Sequence, residues 1–147
     1  MVTLLRQYST LAVLGFALVG CSRHDSVLDN IRHQLGNGAT QVDFGQSGDF
    51  VWDEMFGFAP YYPKDQICRG LKLSVSQCFL AGIKDVDEGE FLLVFMKHGA
   101  VAKTQSFPRA IADFDESERC SAKAIERSAA IFTVQHKAGR VYLMCRL

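Results

Sequence analysis

The pattern of apolar and polar residues after position 20 predicts short strands joined by tight turns. The clearest hairpin spans residues 90–107, where the apolar run 91–96 has the length of a central strand and residues 97–99 (Lys-His-Gly) supply the turn. Alternating apolar positions predict a second hairpin over 131–146, with its turn at residues 137–139. Most of the strand pairing should therefore be antiparallel.

Two further strands and three helices follow from the same pattern. Strands are predicted over residues 40–44 and 50–58, the second with Phe50, Trp52, Phe56 and Phe58 on one face. Helical spacing of apolar residues predicts a helix over 25–35 that stops at a Gly-Asn-Gly segment. A second helix should begin with Pro63 at its first position and end at Gly70, and a third should begin at Asp115 and continue past Ala122, Ile125 and Ala129.

These elements predict an α+β domain. It contains a mainly antiparallel sheet of five or six strands, with two or three helices against one face. Nothing in residues 39–147 resembles a repeat or a linker, so this segment is expected to be one domain, preceded by a tether and short helix at 21–38.

The first twenty residues have the layout of a secretion signal: Arg6, a polar patch, and an apolar run at 11–19 that is shorter than the ~20 residues of a membrane-spanning helix. Leu18-Val19-Gly20-Cys21 resembles the lipobox of bacterial lipoproteins. The resemblance implies cleavage before Cys21, acylation of Cys21 by chains such as palmitate, and, because Ser22 is not Asp, an outer-membrane anchor facing the periplasm. The alternative is an ordinary signal peptide that ends beside a cysteine.

Composition narrows the function classes. The chain has 16 basic and 16 acidic residues and is 48% hydrophobic, which argues against both nucleic-acid binding and disorder. Removal of residues 1–20 takes away Arg6 and no acid, so the remaining chain stays near neutrality.

The four cysteines other than Cys21 predict two disulfides in an oxidising periplasm. Three pairings are possible, and the favoured one joins Cys68 to Cys78 and Cys120 to Cys145, because each pair is near in sequence. The rival hypothesis, a zinc site, lacks the short C-x-x-C spacing. We therefore expect no metal and no cofactor, apart from the covalent lipid on Cys21.

The sequence has no G-x-S-x-G elbow, no P-loop and no H-E-x-x-H motif, so the protein is not expected to be an enzyme. His98 and His136 lie at predicted hairpin ends and would form a polar pair only if the two hairpins lie side by side.

Two features suggest a surface that binds a protein. One is a cluster of acids directly before the strand at 91–96, opposed by a basic segment beyond Glu118; the other is a tyrosine pair between two prolines. The alternative for the charges is a solvated loop and a solvated helix face. The candidate partner-binding residues are Asp85, Asp87, Glu88, Glu90, Tyr61 and Tyr62.

The segment Val51-Trp52-Asp53 through Phe58 to Pro60-Tyr61, followed by the Leu-Leu-Val-Phe strand at 92–95, resembles small bacterial envelope lipoproteins with a W-D…F-x-P-Y pattern. In size, lipobox and cysteines the chain is also similar to immunity proteins that protect the periplasm against type VI secretion effectors, including phospholipases. This resemblance implies an inhibitor whose protein partner is a toxin and which occludes the toxin's active site. The alternative function is a structural or assembly lipoprotein of an envelope or secretion complex.

Overall fold

The computed structural model describes residues 26–114 and 120–145. This part of the chain contains three α-helices, eight strands and two 3₁₀ turns. The helices are α1 (Ser26–Gly36), α2 (Lys64–Gly70) and α3 (Val75–Leu80). The strands are β1 (Gln41–Asp43), β2 (Glu54–Phe58), β3 (Glu90–Lys97), β4 (Ala100–Pro108), β5 (Asp113–Phe114), β6 (Ile125–Glu126), β7 (Ile131–Lys137) and β8 (Arg140–Cys145).

The strands form two four-stranded sheets. Sheet A has the order β1-β7-β8-β5, and sheet B has the order β4-β3-β2-β6. Every strand pair is antiparallel except β5 with β8. The predicted α+β class, its antiparallel character and its disulfides are confirmed; the strands are more numerous than predicted and are divided between two sheets.

Both predicted hairpins are present, and both use the same type of turn. His98 and Gly99 have φ values of 49° and 76°, and Ala138 and Gly139 have φ values of 50° and 75°. Two consecutive residues with positive φ are typical of a type I′ turn, whose twist matches that of the flanking strands. A glycine at the second position removes the steric cost of this conformation.

Sheet B separates two apolar clusters because alternate residues of β3 face opposite sides. Phe91, Leu93 and Phe95 pack in the larger cluster, which lies between the sheets and includes α1. Leu92, Val94 and Met96 pack in a second cluster, which α2 and α3 cover. The continuous apolar run in the sequence thus reflects a strand buried on both faces.

Both favoured disulfides are present. Cys68 in α2 is bonded to Cys78 in α3, and Cys120 is bonded to Cys145 at the end of β8. Cys68 and Cys78 are buried in the second cluster, so this bond holds the two short helices together.

The prediction of a helix that begins at Asp115 is wrong for the part that the structure describes, from residue 120 onward. The predicted start, at residues 115–119, lies outside the described residues. The chain over 120–129 forms a turn, β6 and a 3₁₀ turn at Arg127–Ala129. Ala122 has a φ of 56°, which a continuous helix cannot accommodate. Pairing of Ile125 with Met55 on the edge of sheet B buries Ile125, and this tertiary contact overrides the local helical signal.

The predicted strand at 50–58 is also shorter than expected, since β2 begins only at Glu54 after a bend at Asp53. The bend changes which face the alternate residues occupy: Trp52 packs in the cluster between the sheets, whereas Phe56 and Phe58 pack under α2 and α3. The prediction that these aromatic residues share one face is therefore wrong. Pro63 also differs slightly from expectation, because it is the N-cap of α2 rather than its first residue.

Candidate functional site

Helix α3 was not predicted, yet the sequence carries a signal for it. Ser74 accepts a hydrogen bond from the backbone N–H of Gln77, and the Gln77 side chain accepts one from the backbone N–H of Ser74. This reciprocal arrangement is a capping box, whose S-x-x-Q signature stands in the sequence. The cap defines where the helix begins, and the bond from Cys78 to Cys68 holds it against α2.

Helix α3 presents three large apolar side chains to solvent. Val75 is 90% exposed, Phe79 75% and Leu80 82%. Val75 and Phe79 are four residues apart and share one helix face, and Leu80 borders a shallow groove of about 220 Å³ that Ala81, Ala100 and Val101 also line. We call Val75, Phe79 and Leu80 the α3 patch. Clustered apolar exposure of this kind is typical of an interaction surface rather than of a solvated helix.

Two cations lie close in sequence to the α3 patch. Between residues 64 and 90 the chain carries four basic residues (Lys64, Arg69, Lys72 and Lys84) and five acids (Asp65, Asp85, Asp87, Glu88 and Glu90). Arg69 and Lys72 are exposed, and neither side chain forms an ion pair with any described residue. Arg69 and Lys72 are therefore two cations near the patch in the sequence that no described carboxylate neutralises.

The predicted acidic cluster is largely engaged by its own chain. The carboxylate of Asp85 accepts a hydrogen bond of 2.7 Å from the backbone N–H of Lys64, at the start of α2. Nζ of Lys84 lies 3.2 Å from a carboxylate oxygen of Asp87 and 3.6 Å from one of Glu90. The pKa of Lys84 is raised above its ordinary value, mainly by the hydrogen bond with Asp87. Asp85 thus links the loop to α2, and Asp87 and Glu90 pair with Lys84 at the protein surface.

The structure brings the two tyrosines next to the acidic cluster. The N–H of Tyr61 donates to the Val86 carbonyl (2.8 Å), and the N–H of Val86 donates to the Tyr62 carbonyl (3.1 Å). Tyr61 is exposed, and partial desolvation, with a hydrogen bond to Glu88, raises the pKa of its hydroxyl. Tyr62 is half-buried against Phe58, with ring centroids 5.2 Å apart, so Tyr61 is the more accessible of the pair.

The two predicted hairpin-end histidines lie on different sheets. His98 lies in the β3–β4 turn, and its backbone N–H donates a hydrogen bond to the Asp53 carboxylate (2.9 Å). The same carboxylate accepts a hydrogen bond from Nζ of Lys97 (2.6 Å). The Lys97 bond, and then the His98 bond, hold the pKa of Asp53 below its ordinary value. His136 lies on β7 and is exposed. The role of Asp53 in this geometry is to hold the β3–β4 turn through these two hydrogen bonds.

Asp53 also lines an open, polar groove of about 720 Å³ with Glu54 and Glu126. Arg127 in this groove donates to the Gly45 carbonyl (3.0 Å) and lies over the Trp52 ring. Elsewhere in the basic carboxy-terminal segment, Arg140 pairs with the buried carboxylate of Asp113, which also pairs with Arg109. These arginines connect strands and loops, so their charges serve the fold.

Cys21 lies outside the described residues. Within the described ranges, no helix has the length and apolar character needed to cross a membrane, and no three His, Cys, Asp or Glu side chains are grouped as metal ligands would be. Comparisons of the chain with models of protein families, with curated proteins and with solved structures find no match.

Proposed function

We propose that the protein is a lipid-anchored, periplasm-facing inhibitor that binds a secreted antibacterial effector, such as a type VI phospholipase, and occludes its active site. It acts by binding and has no catalytic role of its own. The anchor is Cys21, in the outer membrane.

The observation that supports this function best is the α3 patch. Three large apolar side chains remain in water on a helix that a capping box and a disulfide hold in place. Exposure of these residues costs free energy in the isolated protein, and a protein contact recovers it. A preorganised surface also binds more tightly, because little conformational entropy is lost on association.

A survival assay tests the proposal. The full chain is co-expressed with periplasm-directed toxins, among them phospholipases and the products of genes next to its own. We expect survival with at least one toxin and a complex of the two proteins on gel filtration. The matched control directs the same toxin to the cytoplasm, where an inhibitor in the periplasm should give no protection.

Absence of both protection and a complex would refute the proposal. The alternative function, a structural or assembly lipoprotein, gives a different result: deletion of the gene would weaken the envelope in the absence of any toxin, and the protein would copurify with an envelope complex.

A further inference from the structure

We propose that the α3 patch and its basic neighbours are the part of the protein that enters the effector, and that the receiving surface is an apolar cleft with carboxylates at its rim. The inference rests on the proposed function and adds the contact surface and the chemistry of the partner. It proposes the α3 patch in place of Asp85, Asp87, Glu88 and Glu90 as the principal contact.

The apolar part of the match follows from the shape of α3. Val75 and Phe79 project from one face of a short helix, and Leu80 lies beside them at the edge of the groove. An enzyme that acts on lipids needs an apolar cleft to accept acyl chains, and aromatic and aliphatic side chains can also occupy such a cleft. Exposed apolar anchors inserted into a pocket are also the residues that dominate the energetics of interfaces.

The charged part of the match follows from Arg69 and Lys72. Both lie between the start of α2 and the start of α3, both are exposed, and neither is paired with a carboxylate in the described part of the chain. Lys84, by contrast, is occupied by Asp87 and Glu90. Two unpaired cations that close in sequence to the apolar anchors favour a partner with acidic groups around its cleft, and they would accelerate association with it.

The position of α3 argues against the membrane as the occupant. Helix α1 packs in the cluster between the two sheets, whereas α3 covers the opposite face of sheet B. The proposed anchor at Cys21 is five residues before Ser26 in the sequence, so it reaches at most ~18 Å from the start of α1. The start of α1, to which the tether connects in the sequence, thus lies on the other side of sheet B from the α3 patch.

The charges also argue against a second copy of the chain. In a symmetric dimer through α3, the same surface occurs on both subunits. Arg69 and Lys72 of both copies would then be brought to one interface, and like charges brought together at an interface are unfavourable.

The test measures the affinity of the full-length lipoprotein, in lipid nanodiscs, for the toxin that it neutralises in the survival assay. Phe79→Ala and Val75→Ser are each expected to raise Kd, by about 30-fold for Phe79 as an anchor residue. Val51→Ser is the matched control, because Val51 is 64% exposed but lies outside the patch. Its Kd should stay within about twofold of the wild-type value.

A second variant, Lys72→Glu, tests the charged part of the match. It is expected to slow association about tenfold at low salt, and the difference from wild type should shrink as salt screens the charges. Unchanged urea midpoints for the exposed-site variants would show that these effects are not caused by unfolding.

Three results would overturn the inference. If the wild-type chain protects but the patch variants bind as tightly as Val51→Ser, the contact lies elsewhere and the proposed function survives. If the free chain is a dimer that Phe79→Ala dissociates, the patch is a self-association surface. If the wild-type chain neutralises no toxin, the proposed function and this inference fail together.

Discussion

The disulfide between Cys68 and Cys78 should contribute much of the stability of the α2–α3 layer, and its removal gives a prediction with a defined magnitude. The perturbation is the double substitution Cys68→Ala and Cys78→Ala, which removes the bond without leaving a free thiol. The two cysteines are 10 positions apart in sequence. The chain-entropy model then predicts a loss of about 2.7 kcal/mol in the free energy of unfolding.

The other disulfide provides the internal comparison. Cys120 and Cys145 are 25 positions apart, so the same model predicts a loss of about 3.5 kcal/mol when both become alanine. Because the longer loop loses more entropy on closure, the second variant should be the less stable of the two.

Urea unfolding followed by the fluorescence of Trp52 measures both variants, since Trp52 is the single tryptophan and is buried between the sheets. With a typical urea m-value, the loss for the Cys68/Cys78 variant corresponds to a midpoint about 1–2 M lower. A loss below about 1 kcal/mol, or a reversed order of the two variants, would refute the loop-closure reasoning.

Three other outcomes are expected. Cys21→Ser should move the protein from the membrane fraction to the soluble fraction, and continued membrane association would contradict the anchor. Gln34→Ala should destabilise the protein by about 1–2 kcal/mol in urea unfolding, because the Gln34 amide makes two hydrogen bonds to the backbone of Asp43 on the edge strand β1; Gln46→Ala, an exposed control, should have less effect. Because the pKa of Asp53 is lower in the folded state, its ionised carboxylate stabilises the fold at pH values above the unfolded-state pKa near 3.8, and this stabilisation is lost as the pH falls through the folded-state pKa. The urea midpoint of Asp53→Asn should therefore decrease less between pH 7 and pH 3 than that of the wild type.

The parts of the fold that could be predicted are those whose signals are local. The two hairpins follow from apolar runs and from glycines placed where the turns need a positive φ, at Gly99 and Gly139. Helix α1 follows from apolar spacing, and the favoured disulfides follow from sequence proximity.

The parts that could not be predicted depend on contacts between distant segments. Residues 125–126 look helical in isolation and become a strand because the edge of β2 is open to them. At the bend, the carboxylate of Asp53 binds Lys97 and His98 of the β3–β4 turn, which lie 44 and 45 positions further along the chain. Neither contact has a signature in the local pattern of residues.

The same distinction explains why the folded chain offers a candidate surface that the charge pattern did not suggest. A run of acids is conspicuous in a sequence, but only the folded chain shows that Asp85, Asp87 and Glu90 already have partners. A partner that binds these carboxylates must compete with interactions that the protein already makes, and the net gain is small. Phe79 and Leu80 differ from these acids because their side chains are mostly exposed to water, so burial in an apolar cleft would contribute favourable free energy without breaking an existing interaction. We therefore propose the α3 patch, rather than the acidic residues, as the main source of affinity for a protein partner, and the shown role of Asp85 is to link the loop to α2.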